Sequence, residues 1–439
     1  MHKTAINICK RLQKKGYKAF FAGGAVRDMI MGSEPEDIDI ATNATPDEIE
    51  NIFEKSFAIG KHFGVILIEE NGHHFEIATF RSDSGYTDGR RPDAVFFTNE
   101  REDALRRDFT CNDLFYDPIQ NKIYDFVGGQ KDIEEKVLRF VGEPEKRIQE
   151  DYLRILRAIR FKNRLDFSYG ERLKTAIRKN VHLLKNIAVE RVQTELTKML
   201  VAPSRVSAAH DMHTLGVWKT LLPEVEEMAH VPDAYGIRTV FEHTLTAMKY
   251  LPSDANAELC WGLLLHDIGK GATIRREKDR NHYPHHEKES ARIAKKICSR
   301  LAFSRFSTDK ICYLVENHIP FYQIPQMSRS TRLHFFDHPF FEDLLLLCRC
   351  DAKGSSDGDD GLVREIEQMY IDAKNRKLLP QFHPELLSGT EIMNITHLPS
   401  GKKIGMLKHL LRKKQIEGEV RTKKEAEEWI RCFHQHYEH

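Results

Sequence analysis

The chain has 439 residues with 67 basic and 66 acidic side chains, so its net charge neither predicts nor excludes a polyanionic partner. That length exceeds a single core and predicts roughly two to four domains. The eight cysteines (9, 111, 260, 298, 312, 348, 350 and 432) include no CxxC pair, which argues against a zinc ribbon and a disulfide framework. No apolar run is long enough to span a membrane. The basic N-terminus has Ala5, Ile8 and Leu12 at helical spacing instead of a signal-peptide core. A soluble, cytoplasmic protein is expected.

In chain order, AFFAGGAVRDMIMG reads as a strand, a turn at Gly23-Gly24 and a helix from about Ala25. Glycines at that junction let backbone approach a phosphate, and a helix start offers free N–H groups. Arg27 follows on the first turn. DIDIAT then places Asp37 and Asp39 two residues apart, on one face if the segment is a strand. Two close carboxylates cannot both stay ionised without a cation, and such an oxygen-rich pair suits Mg²⁺ with substrate phosphates. Taken alone, D-x-D is a solvated strand edge; joined to the glycine turn, it points to nucleotidyl transfer. FEIATFR puts Glu76 on a further strand, as a third carboxylate or a solvated surface charge.

Strands are expected over 18–22, 36–41, 64–69, 74–80, 94–97 and 122–126. A loop punctuated by Gly and Pro holds Asp88, Arg90 and Arg91. LRRDFTCNDLFYD follows with Arg106, Arg107, Asp108 and Asn112; the Arg107 fork suits phosphate or base contact, and the Asn112 amide a sugar hydroxyl or triphosphate.

From about 138 the pattern becomes helical, with breaks at Pro203, Pro223, 252–254 and 353–361. EDYLRILRAIRF places Asp151 and Arg154 at i and i+3 of an expected helix, either an ordinary ion pair or a base-selecting pair. Cytosine and adenine each offer an amino donor beside a ring-nitrogen acceptor, which a carboxylate beside a guanidinium matches. Uracil and guanine would leave those groups mispaired.

GGAVRD, EDIDIAT, DGRRPDAVFF, RRDFTCNDLFYD, DFVGGQKDI and EDYLRILRAIRF together resemble the bacterial tRNA nucleotidyltransferase (CCA-adding enzyme)/poly(A) polymerase family over residues 18 to about 200. AVERVQTELTKML (188–200) is similar to that family's neck, and LSGTEIMNI with GKKIGMLKHLL to its C-terminal segment. The resemblance implies metal binding by Asp37 and Asp39. It further implies a template made of Glu150, Asp151 and Arg154, and a flexible element containing Asp88, Arg90 and Arg91. Gly23, Gly24, Arg27, Arg107, Asp108, Asn112 and Arg157 complete the candidate nucleotide-binding set. The implied partners are tRNA, CTP and ATP, with no membrane and no inferable protein partner.

Further on, His243, His266-Asp267, His286, His318 and Asp351 lie on successive helices, with His285 competing for the place of His286. Spaced His and Asp in a bundle can converge on a divalent metal; otherwise such histidines are structural. This series resembles the HD-domain phosphohydrolases, and imidazole ligands favour Ni²⁺ or Mn²⁺. Between Lys402 and Lys424 stand nine Lys/Arg against two Glu, a phosphate-facing surface or a solvated helix face.

The expected class is α+β: a nucleotidyltransferase-type mixed α/β head (1–137), a helical neck (138–225), an HD domain (226–370) and a basic helical tail (371–439). The expected function is template-independent addition of C and A to a tRNA 3′ end. The alternatives are poly(A) synthesis, CC-only or A-only addition, and an HD phosphohydrolase with an RNA-binding head.

Overall fold

The computed structural model describes residues 1–85, 94–277, 280–379 and 384–437. Asp88, Arg90 and Arg91 lie outside the described residues. The chain forms two compact units, Met1–Pro223 and Glu224–His439.

The first unit is built on strands β1 (Ala19–Ala22), β2 (Asp39–Thr42), β3 (Ser56–Gly60), β4 (Val65–Glu70), β5 (His73–Thr79), β6 (Arg81–Ser84), β7 (Ala94–Phe97), β8 (Leu114–Asp117) and β9 (Lys122–Asp125). Seven of them make one sheet in the order β3-β4-β5-β2-β1-β8-β9. Every residue of β1 is buried, as a central AFFA strand requires. The Phe20, Phe80 and Phe115 rings pack on one face, with Tyr124 and Phe126 against them.

The strand expected over 36–41 begins only at Asp39, so Asp37 lies just before it. Strand β2 pairs with β1, where Ala22 faces Asp39 and β1 then ends at the Gly23 turn. Asp37 has no ladder partner for that reason. Residues 94–97 form a strand as expected, but in a separate hairpin with Arg81–Ser84. Strands β3, β6 and β8 were not anticipated; β6 is largely polar and β8 falls among the charged residues of RRDFTCNDLFYD.

The helix expected to carry both Asp151 and Arg154 is broken. One helix, Pro144–Glu150, ends where Asp151 turns extended (φ −152°), and the next, Arg154–Leu165, starts afresh. The Asp151 carboxylate accepts the Leu153 N–H at 3.0 Å. Such a side-chain bond competes with helix continuation. Helices Glu171–Asn180, Val189–Val201, Arg205–Thr214 and Val217–Leu221 follow in the same unit.

In the second unit, helices Val240–Met248, Ala257–Leu265, His286–Arg300, Arg305–Phe321 and Phe341–Gly354 surround Trp261, Leu264, Ile297, Leu314 and Leu347, all fully buried. Two glycines let these helices close. A Cβ on Gly269 would lie 2.7 Å from the His286 carbonyl oxygen, and one on Gly354 would lie 2.7 Å from Ala247 Cβ. Gly269 follows Asp267 by two residues and Gly354 follows Asp351 by three, so both contacts draw the His/Asp positions together. Helices Gly389–Thr396, Lys402–Glu417 and Lys423–Tyr437 share a small core of Leu387, Ile392, Ile404, Leu407, Leu411, Val420, Ala426 and Ile430. Among the described residues, no helix is long and apolar enough to cross a membrane.

Candidate active site and metal centre

The first unit contains a cleft of about 550 Å³. Of the anticipated residues, Gly23, Gly24, Arg27, Asp37, Asp39, Arg107, Asp108, Asn112, Asp151, Arg154 and Arg157 all line it. Gly23 has φ +72° and ψ −136°, a conformation that L side chains rarely adopt. A Cβ there would sit 3.7 Å from Arg107 Nη1 and 3.9 Å from Asp39 Oδ2. Backbone, guanidinium and carboxylate thus converge within one side chain's reach.

Burial together with Glu76 pushes Asp39 up to about 6, Arg107 opposes that rise, and Asp37 adds to it. Parallel pairing of β2 with β5 (Ile40 opposite Ile77) sets Glu76 beside Asp39. Both carboxylates line an adjoining 200 Å³ recess with Arg106 and Arg107. A buried carboxylate whose ionisation two neighbouring carboxylates make costlier is the electrostatic arrangement a divalent cation relieves.

Arg27 is buried, with Nε and Nη2 on Asp28 Oδ1 (2.8 and 2.6 Å) and Nη1 donating to Asn112 Oδ1. Arg107 donates from Nε and Nη2 to Asp103 Oδ2 at 3.0 and 2.8 Å, with Asp113 at 3.5 Å. Asp103 also takes Arg106 through Nε (2.9 Å) and Nη2 (2.6 Å), and the Arg81 N–H at 3.2 Å. One buried carboxylate therefore sets two arginines side by side at the cleft. Asp108 is charged although burial works against it, because Arg157 holds its pKa below the usual range.

Asp151 and Arg154 do not pair with each other. Asp151 is gripped by Arg191 at 2.7 and 3.2 Å, while Arg154 Nη1 donates to Glu150 Oε2 at 2.5 Å. Glu150 is absent from the cleft wall; it accepts from Arg147 (2.8 Å) as well and orients Arg154 from behind. Sequence reasoning missed Asp103, Asp113, Arg147 and Arg191. Their signal was weak, since each stands beside other charged residues in a helical or turn context and nothing local marks it out.

The second unit gathers its six anticipated residues around Asp267. Potential ligand atoms form two sets sharing that carboxylate, one of His243, His266 and Asp267 and one of Asp267, His286 and His318. Asp351 joins the first set, with Oδ1 2.9 Å from His243 Nε2 and 3.4 Å from His266 Nε2. His285 is 79% exposed in its side chain, so His286 is the inward member. The Nδ1 atoms of His266, His286 and His318 face backbone carbonyls at 2.7, 2.8 and 2.7 Å. Those bonds hold the proton on Nδ1 and turn the Nε2 lone pairs inward, a tautomer typical of metal ligands. Two such atoms, His286 Nε2 and His318 Nε2, then face each other at 3.2 Å. His266 Nε2 is buried without a hydrogen bond among the described residues. The donor set fits a cation better than it fits a structural network. Lys270 Nζ lies 2.6 Å from Asp267 Oδ2, and the Tyr322 hydroxyl donates to Asp351 Oδ2 at 3.1 Å.

Residues 19–139 match the Poly A polymerase head domain, 166–228 the probable RNA and SrmB-binding site of polymerase A, and 212–352 the HD domain. The chain is 48% identical over 197 residues to the CCA-adding enzyme of Bacillus pumilus, covering 45% of this chain and 49% of that one. With the CCA-adding enzyme of Geobacillus thermodenitrificans it is 39% identical over 267 residues, 60% of this chain and 63% of that one. In sequence the chain thus spans about half to two thirds of the length of these curated relatives. In structure it resembles the Bacillus stearothermophilus CCA-adding enzyme in complex with CTP, with a TM-score of 0.77, 24% identity and coverage of 99% and 98%. A CCA-adding enzyme in complex with ATP aligns with a TM-score of 0.64 at 20% identity, over 97% and 94% of the two chains. Both likenesses concern the fold. These matches show a Poly A polymerase head domain and an HD domain in this chain, and the fold of CCA-adding enzymes around the cleft and the His/Asp cluster.

Proposed function

We propose that this chain adds C and A nucleotides to the 3′ end of tRNA from CTP and ATP without a nucleic-acid template. The observation that carries this reading is the single cleft in which Asp39, Gly23 and Arg107 meet, with Asp151 and Arg154 on its wall. Its support from relatives is that the proteins similar to this chain are CCA-adding enzymes.

In this reading Asp37 and Asp39 hold Mg²⁺, with Glu76 beside them. When bound, Mg²⁺ lowers the pKa of the attacking 3′-hydroxyl and neutralises the triphosphate. Gly23 and Gly24 let the backbone approach the phosphates, and Arg107 faces the same point. Arg27 and Asn112 brace the turn through their mutual bond. Asp151 and Arg154 present an acceptor beside a donor to the base edge, each held by its own partner, Arg191 or Glu150. The tRNA would be cytoplasmic, and the basic tail and the neck would each meet its backbone and shape. The proposed parts are head 1–137, neck 138–225, HD domain 226–370 and tail 371–439.

The two-set arrangement around Asp267 favours a second activity, hydrolysis of phosphate esters with Mn²⁺ or Ni²⁺ at the HD cluster. Incubation with tRNA lacking one, two or three terminal nucleotides and labelled CTP or ATP tests the main reading. Extension to a full CCA end supports it. Growth of a long A tract, or arrest after CC, would instead establish poly(A) synthesis or partial addition. Asp39→Asn should abolish extension while tRNA still binds.

A further inference from the structure

Seven arginines line the cleft of the first unit, and six of them are already held by a carboxylate. Arg27 pairs with Asp28, Arg81 with Asp83, Arg106 and Arg107 with Asp103, Arg154 with Glu150, and Arg157 with Asp108. Arg164 is the seventh. It is exposed, and among the described residues it makes no hydrogen bond, ion pair or ring contact. A guanidinium with a carboxylate partner has much of its charge compensated. An unpaired one on a concave wall draws an anion from solution.

The place of Arg164 on the helix Arg154–Leu165 selects the anion. Arg154, Arg157, Phe161 and Arg164 follow one another at spacings of three, four and three, so they form one stripe, and all four line the cleft. Arg154 stands at the end assigned to the base edge. The Phe161 ring lies under the Arg157 guanidinium, 5.3 Å from its centroid, and under that of Arg27 at 5.8 Å. Arg27 follows the Gly23-Gly24 turn, and its Nη2 would lie 3.4 Å from a Cβ on Gly24. The stripe thus passes the glycine turn at Phe161. Arg164 lies one helical turn further on, about 15 Å along the axis from Arg154. A nucleoside triphosphate with its base at Arg154 and its inner phosphates at the glycine turn directs its terminal phosphate towards that end.

We infer that Arg164 binds the terminal phosphate of the incoming CTP or ATP, whichever base Asp151 and Arg154 select. The inference rests on the reading of this cleft as a nucleotidyl transfer site. Two other roles give different results. A cation that only faces the carbonyl end of its own helix alters stability and leaves ligand binding alone. A contact to the tRNA backbone alters tRNA binding and its salt dependence.

Equilibrium binding to the full chain in Mg²⁺ separates these roles, with CTP, ATP, CDP, CMP and a tRNA lacking its terminal A as ligands. Arg164→Ala should weaken CTP and ATP about tenfold, as expected for one lost charge-assisted contact. CDP and CMP should change by less than about twofold, and tRNA affinity should follow the wild type from about 50 to about 200 mM KCl. Arg164→Lys, which keeps the charge, should recover most of the CTP affinity. Equal weakening of CTP, CDP and CMP would overturn the assignment, because a displaced helix produces that pattern. Unchanged binding of every ligand overturns it as well. Weaker tRNA binding with unchanged CTP, and a salt slope shallower by about 0.7–0.9, would put the arginine on an RNA phosphate instead. If the wild type binds none of the nucleotides, the transferase reading itself fails and the inference falls with it.

Discussion

Asp103→Asn is the most demanding test of the head. The Asp103 side chain is 2% exposed, and its two oxygens accept five hydrogen bonds, from Arg106, Arg107 and the Arg81 N–H. Asparagine keeps the shape but removes the charge and offers a donor where two guanidinium groups already donate. Breaking a buried ion pair from one side costs about 3–5 kcal/mol. Because Arg106 and Arg107 are 19% and 20% exposed, the lower end applies, about 3 kcal/mol. For a unit of this size that is a Tm loss of about 6–12 °C. Calorimetry should show it in the transition of residues 1–223, identified by amide exchange of β1 and β8. Arg107 would also lose its orientation towards Gly23 and Asp39, so CTP should bind about tenfold more weakly, the equivalent of about 1.4 kcal/mol. A double-mutant cycle with Arg107→Met isolates the pair and should return a coupling of about 2 kcal/mol. A stability loss below about 1 kcal/mol together with unchanged CTP affinity would refute the reasoning, since solvent would then be screening the clamp.

The remaining predictions concern selection, pH and metal. Arg191→Ala releases Asp151 from its bidentate partner, so misincorporation of UTP and GTP should rise about tenfold, as expected for an unpaired, partly buried carboxylate. Selectivity equal to wild type would show that Asp151 is held without Arg191. Asp113 is fully buried, neither oxygen has a hydrogen bond among the described residues, and burial raises it to about 8 against Arg107's opposition. A raised carboxyl binds its proton more tightly when folded, so between roughly pH 4 and pH 8 its contribution falls as pH rises, by up to about 1.4 kcal/mol per pH unit. Asp113→Asn should therefore flatten the stability profile and melt higher than wild type at pH 8.5; parallel profiles from pH 5 to 9 would contradict this. Asp267 belongs to both ligand sets, so Asp267→Asn should remove most bound Mn²⁺ or Ni²⁺ by elemental analysis while nucleotide addition continues, and unaltered metal content would mean that the histidines are structural.

Much of the site was legible in the sequence because its signals are local. A glycine pair after a buried strand announces a turn, and D-x-D sets two carboxylates close together whatever surrounds them. A His-Asp dipeptide on an apolar helix is hard to satisfy without a partner. The tertiary structure decided which groups face one another. Asp37 falls outside the strand because β1 stops at Gly23 and offers no further pairing. Asp151 and Arg154, neighbours by helical spacing, are separated by a break and claimed by Arg191 and Glu150, charges 40 and four residues away. Arg107 is aimed by Asp103, one turn back in the helix Glu100–Arg106 that ends just before it, yet it meets Asp39 and Gly23 only because β8 and β2 flank β1. In the HD unit the sequence named the His and Asp residues, but their division into two sets about Asp267 depends on Gly269 and Gly354 admitting neighbouring backbone and Cβ atoms. Local spacing specifies side-chain chemistry; long-range pairing, which no window of sequence contains, specifies the distances between charges.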